Sequence, residues 1–243
     1  MDVGILICGK TCGNIGEKFG DYGKMYKNFL LLSKRCKNFR FKYYNCYDGE
    51  FPNKDDIEVC HFFMLTGSPN SSYENIEWIN RLKDLVRALD KIKKKMVGIC
   101  FGHQIIAEAL GCKVIPHPEG WEVSVCPLEL NNESEVLFKK KSEYTKRLYI
   151  YQMHKDIVKS INKESGLKLF CHNKHCKNQG FIKGKHILTF QGHPEYCSEI
   201  IKIFLEKRRN IMGEEVYNRG MKSKDIPMSK KLLLDMILNF VEL

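Results

Sequence analysis

No stretch of the 243 residues stays apolar for long. Every run falls short of the roughly 18 apolar residues needed for a membrane-spanning helix, so no membrane role is expected. A secretory leader is not expected either: Val3-Gly4-Ile5-Leu6-Ile7-Cys8 reads as a strand and meets Lys10 too soon for a leader's apolar core. No proline- or serine-rich linker interrupts the chain and no segment repeats, so residues 1–243 are expected to form one domain. Acid is the scarce charge, with 29 Asp and Glu against 40 Lys and Arg, a net +11. Such a surplus could attract nucleic acid or an anionic surface. The lysines, however, are dispersed, with short runs only at Lys93–Lys95 and Lys139–Lys141, and no RNA- or DNA-binding motif accompanies them. A solvated basic surface is the expected reading, and nucleic acid is not an expected partner. Disulfide architecture is not expected either. Eleven cysteines, an odd number scattered among strands, fit a reducing compartment, and the cytoplasm is expected.

What is present is an ordinary globular balance, 43% hydrophobic and 28% charged, at a length that buries a substantial core. Gly4-Ile-Leu-Ile-Cys-Gly-Lys10-Thr11 matches a phosphate-loop pattern formally. Its spacer is the strand itself, though, and Gly13, Gly16, Gly20 and Gly23 argue against an immediate helix, so the match reads as coincidence. A helix is expected from Asp21, a plausible N-cap, to about Ser33. Strands are expected over Phe39–Tyr47 and His61–Leu65, with a long helix over Glu74–Asp90. Alternation of strand and helix up to Gly111 implies a mainly parallel central sheet flanked by helices, an α/β architecture. Beyond Gly111 the texture becomes strand-rich, with strands over Trp121–Leu130, Arg147–Asp156, Gly166–Phe170, Gly180–Ile182 and His186–Phe190. Helices return over Cys197–Met212 and Ser229–Glu242. A smaller α+β portion packed against the first half is expected.

Three stretches carry chemistry. Gly98-Ile-Cys100-Phe-Gly102 has the spacing of a nucleophile elbow with cysteine in place of serine. A tight strand-to-helix turn needs residues without a Cβ near the nucleophile, and it leaves the thiol at the positive end of a helix. The same pattern can also be a close-packed turn. Gln191-Gly-His193-Pro-Glu195-Tyr196 follows an apolar strand. Pro194 favours extended backbone at His193, which lets Glu195, two residues on, hold its ring. Cys100, His193 and Glu195 are therefore candidates for nucleophile, base and orienting carboxylate. Thr66-Gly67-Ser68-Pro69-Asn70-Ser71-Ser72-Tyr73, after the strand His61–Leu65, is either an anion-facing loop or a plain connection. Both Gly67 and Cys100 fall at carboxyl ends of strands, where ligands of such sheets bind.

Together, Gly98–Gln104, Leu65–Tyr73 and Gln191–Glu195 resemble class I glutamine amidotransferases, in order and spacing, over roughly residues 1 to 205. Phe19-Gly-Asp-Tyr22, Asp48-Gly-Glu-Phe-Pro52 and Gly120-Trp121 resemble the stand-alone branch that contains plant γ-glutamyl peptidases. The resemblance implies a flavodoxin-like fold and attack by Cys100 on the γ-carbonyl of a glutamine-like amide, with no cofactor and no metal. It implies an oxyanion site at the backbone N–H groups of Gly67 and Phe101, and substrate contacts at Ser68, Gln104 and His154. His154 lies in Met153-His-Lys-Asp156, which departs from the Ser-His-Gly-Asp form of many members. The implied partner is a small γ-glutamyl compound. A synthetase receiving ammonia in trans is the alternative, and a non-catalytic binding module on the same fold is a third. His103 is expected to be structural. Cys171-His-Asn-Lys-His175-Cys176 offers four zinc-ligand types in six residues, too close together to wrap one ion easily, and reads as a surface loop.

Overall fold

The computed structural model describes residues 1–11 and 13–243. Its first half alternates strand and helix. In chain order come β1 (Asp2–Ile7), α1 (Asn14–Phe19), α2 (Tyr22–Leu30), β2 (Arg40–Asn45), α3 (Lys54–Val59), β3 (Phe62–Leu65), α4 (Glu77–Lys91), β4 (Lys95–Ile99) and α5 (Phe101–Ala109). The second half is strand-rich, with β5 (Lys113–Pro116), β6 (Glu122–Leu130), β7 (Arg147–His154), β8 (Asp156–Ser160), β9 (Lys168–His172), β10 (Gly180–Lys183) and β11 (Ile187–Phe190). Three helices follow: α6 (Ser198–Met212), α7 (Glu214–Ser223) and α8 (Lys230–Glu242).

One nine-stranded sheet runs through both halves in the order β2-β1-β3-β4-β11-β10-β9-β6-β7. The strands from β2 to β11 pair in parallel, and those from β11 to β7 pair antiparallel. The strand-rich portion thus extends the parallel sheet edge-on, with β11 as the hinge of direction. A separate two-stranded ribbon pairs β5 with β8.

Both faces of the parallel region are covered, which is why its strands read as continuous apolar runs. On one side Val3, Ile5 and Ile7 pack with Met25, Tyr26 and Phe29 of α2 and with buried residues of α6 and α8. On the other, Leu6, Phe63 and Leu65 pack with Ile79, Leu82, Val86 and Leu89 of α4 and with Ile105 and Ile106 of α5. Asp21 caps α2 as expected, its carboxylate accepting the Lys24 N–H at 2.7 Å. The spacer of the phosphate-loop match lies largely in β1. A short helix does follow, however: α1 starts at Asn14 and carries Gly16 inside it. That helix, with α3 and α7, is additional to the sequence expectation. The first two have only six residues each, too few for an apolar period to show. Among the described residues, no helix is long and apolar enough to cross a membrane.

Candidate active site

The ends of β3, β4 and β11 meet at one edge of the sheet, and each delivers part of a site. β4 ends at Ile99, and Cys100 turns the chain into α5 with φ 54° and ψ −103°. A non-glycine residue there costs about 1–3 kcal/mol, so surrounding contacts must hold it. They do: the Cys100 N–H donates to the Phe190 carbonyl at 2.9 Å, and its own carbonyl accepts from the Gln104 N–H at 3.1 Å. The flanking glycines are required by close approach. A Cβ on Gly98 would stand 2.5 Å from the Gly102 carbonyl oxygen, and one on Gly102 would stand 2.4 Å from that of Leu65.

β11 delivers His193. Its N–H donates to the Tyr151 carbonyl of β7 at 2.7 Å in an isolated bridge, and the chain then turns. Nδ1 of His193 lies 2.7 Å from Oε1 of Glu195, and both side chains are almost wholly buried. The contact expected from extended backbone is therefore present, built on a bridge followed by a turn. Burial alone would depress the His193 pKa. The charges of Glu195 and Cys100, with hydrogen bonds to both, outweigh it and raise the ring to about 10. Among the described residues, the second Glu195 oxygen, Oε2, takes no hydrogen bond, and neither does the buried hydroxyl of Tyr26 on α2. Burial, followed by the charges of Glu195, Tyr196 and Cys100, drives the Tyr26 phenol well above its ordinary value.

β3 delivers Gly67. A Cβ on Gly67 would meet His193 Cε1 at 3.0 Å and Cys100 Cβ at 3.9 Å, so this glycine sits against both side chains. Among the described residues, the N–H groups of Gly67 and Phe101 take no protein acceptor.

A cavity of about 190 Å³ opens above the elbow, lined by Cys100, Ser68, Gln104, Trp121, Met153, His154, Lys155, Asp156 and Arg208 among others. Ser68 is half-buried, and its hydroxyl accepts the Asn70 N–H. Gln104 donates to the Asp156 carbonyl at 2.9 Å and to Gln191 Oε1 at 3.0 Å, tying α5 to the cavity wall. His154 is held at both ring nitrogens, by the Asp156 carbonyl and by Glu122 Oε2, each at 3.0 Å. Glu122 also accepts from Asn173 and Gln179. Burial opposes its charge, but the hydrogen bond and charge of His154, and then the Asn173 bond, keep the carboxyl below its ordinary range. His103 is buried away from the cavity, bonded to Thr189 at 2.8 Å and stacked on Phe181. Burial lowers it to about 3.

In the Cys171–Cys176 stretch, Cys171 and Cys176 are buried and His172 is exposed. The Asn173 carboxamide binds Glu122 and the Cys176 N–H. Among the described residues, no group of three or more His, Cys, Asp or Glu side chains is placed to hold a metal ion. The stretch buttresses the Glu122 network, which supports the strand ending at His154.

Three contributors were not singled out from the sequence. Tyr196 stacks on His193 at 4.0 Å and 4°. Tyr26 lies behind Glu195, and Arg208 stands over the Trp121 ring at 5.2 Å. Tyr26 and Arg208 lie far in sequence from their partners, and Tyr196, only three residues from His193, meets it through a turn that no periodic pattern marks.

This chain belongs to the class I glutamine amidotransferases: residues 20–207 match the family described as Glutamine amidotransferase class-I. It is similar to a glutamine amidotransferase-like protein of Schizosaccharomyces pombe, 32% identical over 238 residues, with 94% of this chain and 91% of that one covered. It is also similar to γ-glutamyl peptidase 4 of Arabidopsis thaliana, 32% identical over 199 residues, covering 79% of this chain and 72% of that one. Among solved structures, a glutamine amidotransferase from Thermotoga maritima superposes with a TM-score of 0.75 at 22% identity, covering 100% of this chain and 98% of that one.

Proposed function

We propose that the chain is a cysteine-dependent hydrolase that cleaves a γ-glutamyl amide or peptide bond through a glutamyl thioester. The observation that carries this reading is the strained Cys100 at the start of α5, facing a His193 whose ring is bound to Glu195. The Cys100 sulfur attacks the γ-carbonyl carbon, and the carbonyl oxygen takes the negative charge. The N–H groups of Gly67 and Phe101, free of protein acceptors, are suited to bind that oxyanion. Losing one such donor typically costs about 10²–10³-fold in rate. The carbon–nitrogen bond then breaks as protonated His193 gives its proton to the leaving amine. Water attacks the thioester, His193 takes a proton from it, and glutamate leaves with the Cys100 sulfur free and His193 protonated again.

Ser68, Gln104 and the Met153–Asp156 strand end form the proposed substrate side. With both His154 nitrogens engaged, its contribution is to shape that wall and hold the Asp156 carbonyl. On this reading the protein acts in the cytoplasm, as a single domain, on a small molecule. Relatives named γ-glutamyl peptidases favour a stand-alone hydrolase. A second reading, a glutaminase subunit feeding a synthetase in trans, is favoured by a 25% identity to a GMP synthase of Prochlorococcus marinus, of which the match covers 34%. Glutamate release from glutamine, glutathione and γ-glutamyl dipeptides by the purified protein tests both. Unaided turnover supports the first reading, and turnover only with an added synthetase supports the second. Undiminished turnover by Cys100→Ala would sink both.

A further inference from the structure

The charges around the cavity do not balance for glutamine. Its lining carries two cations, Lys155 and Arg208, and one carboxylate, Asp156. Asp156 is engaged by the Ser71 hydroxyl at 2.5 Å and more weakly by Tyr73. No carboxylate among the described residues pairs with Lys155 or Arg208. A γ-glutamyl head brings one ammonium and one carboxylate, which the neighbouring Asp156 and Lys155 complement. Glutamine would then leave Arg208 with no anion, because its amide carries no second carboxylate.

Arg208 is also held in place. It follows Phe204 by one turn of α6 and lies over that ring at 4.8 Å as well as over Trp121 at 5.2 Å. Phe204 packs on Tyr196 at 5.5 Å, and Tyr196 stacks on His193 at 4.0 Å. An unbroken stack therefore fixes the guanidinium relative to the group proposed to protonate the leaving amine. Aromatic faces orient a guanidinium while leaving its N–H fork free for a planar anion. The Trp121 carbonyl is in turn bonded by Arg219 at 3.3 Å, which steadies the other side of the sandwich.

Resting on the γ-glutamyl reading above, we propose that Arg208, seated on Trp121, binds a carboxylate on the departing amine. The preferred substrates are then γ-glutamyl amino acids or peptides with a free C-terminal carboxylate, ahead of glutamine.

The test is the ratio of kcat/KM for γ-glutamylalanine to that for its C-terminal amide. The full chain should prefer the acid by about 10- to 100-fold, the span of one charge-assisted hydrogen bond. Arg208→Leu should bring the ratio to about 1, and Arg208→Lys should keep part of it. Equal turnover of acid and amide by the wild-type protein, a measurement needing no variant, would overturn the assignment while leaving the hydrolase reading intact. A full preference retained in Arg208→Leu would do the same. No glutamate release from any γ-glutamyl compound would overturn both.

Discussion

The imidazole of His193 and the phenol ring of Tyr196 lie parallel, 4.0 Å apart and within 4° of coplanar orientation. With the Glu195 contact at Nδ1, this leaves the ring one orientation, Cε1 toward Gly67 and the reacting edge toward Cys100. If the stack sets that orientation, the ring matters and the hydroxyl does not. Tyr196→Phe should keep kcat within about twofold, whereas Tyr196→Leu should lower it by about 10-fold or more with a smaller change in KM, since small misplacements of a reacting group are costly. Steady-state kinetics on a γ-glutamyl dipeptide decides it. Equal losses in the two variants would point to the hydroxyl instead.

The proton on His193 gives a pH prediction. The ring stays protonated to about pH 10, raised against burial by Glu195 and Cys100. As the proposed donor to the leaving amine, it should set an alkaline limb in kcat/KM near that pH. Removing the Glu195 charge in Glu195→Gln should move the limb toward neutrality by about 1–3 units, the usual effect of a close opposite charge. A limb that stays put would mean Glu195 does not hold the proton. The same shift acts on stability. Because the folded value lies above the ordinary 6.5, the pair's contribution is complete below 6.5 and is lost as pH rises through about 10.

Much of this site was legible because its determinants are local. The elbow is five residues, and the His193–Glu195 contact spans two, so spacing alone brings each set together. The strand ends that carry them follow from apolar runs. The sheet's continuity was not legible, because the pairing of β11 with β4 joins segments about 90 residues apart and nothing in either strand specifies its neighbour. The same holds for Arg208 and Trp121, one on a helix face and one just before a strand. His154 shows the converse. Resemblance marks it as a substrate contact, while its ring is occupied by Glu122, a glutamate buried in a strand whose alternation gives no hint of a polar network.

Two glycines near the elbow should separate folding from activity. Gly102→Ala would place a methyl 2.4 Å from a backbone carbonyl of β3, which cannot swing aside. A loss of about 1–3 kcal/mol in stability is expected, the usual range for overpacking. Gly67→Ala instead meets the His193 ring at 3.0 Å, a side chain able to yield by a few tenths of an ångström. Denaturant unfolding should therefore show a near-normal midpoint for Gly67→Ala but a turnover lowered by about 10-fold through displacement of the base. A strongly destabilised Gly67→Ala with normal turnover when folded would contradict this account.

Glu122 supports the cavity wall from behind. Its buried carboxylate accepts from His154, Asn173 and Gln179, so it links β6, β7 and the loop that follows β9. Glu122→Ala would leave three donors without an acceptor, and a loss of about 3–5 kcal/mol is expected from breaking such a buried set. The pH dependence fixes the cause. The folded pKa lies below the ordinary 4.5, so the wild-type advantage is complete above 4.5 and is lost as pH falls through the folded value. Denaturant midpoints of wild type and variant should accordingly lie far apart at pH 7 and draw together in acid. A gap that stayed constant down to pH 3 would assign the loss to packing rather than to the charge.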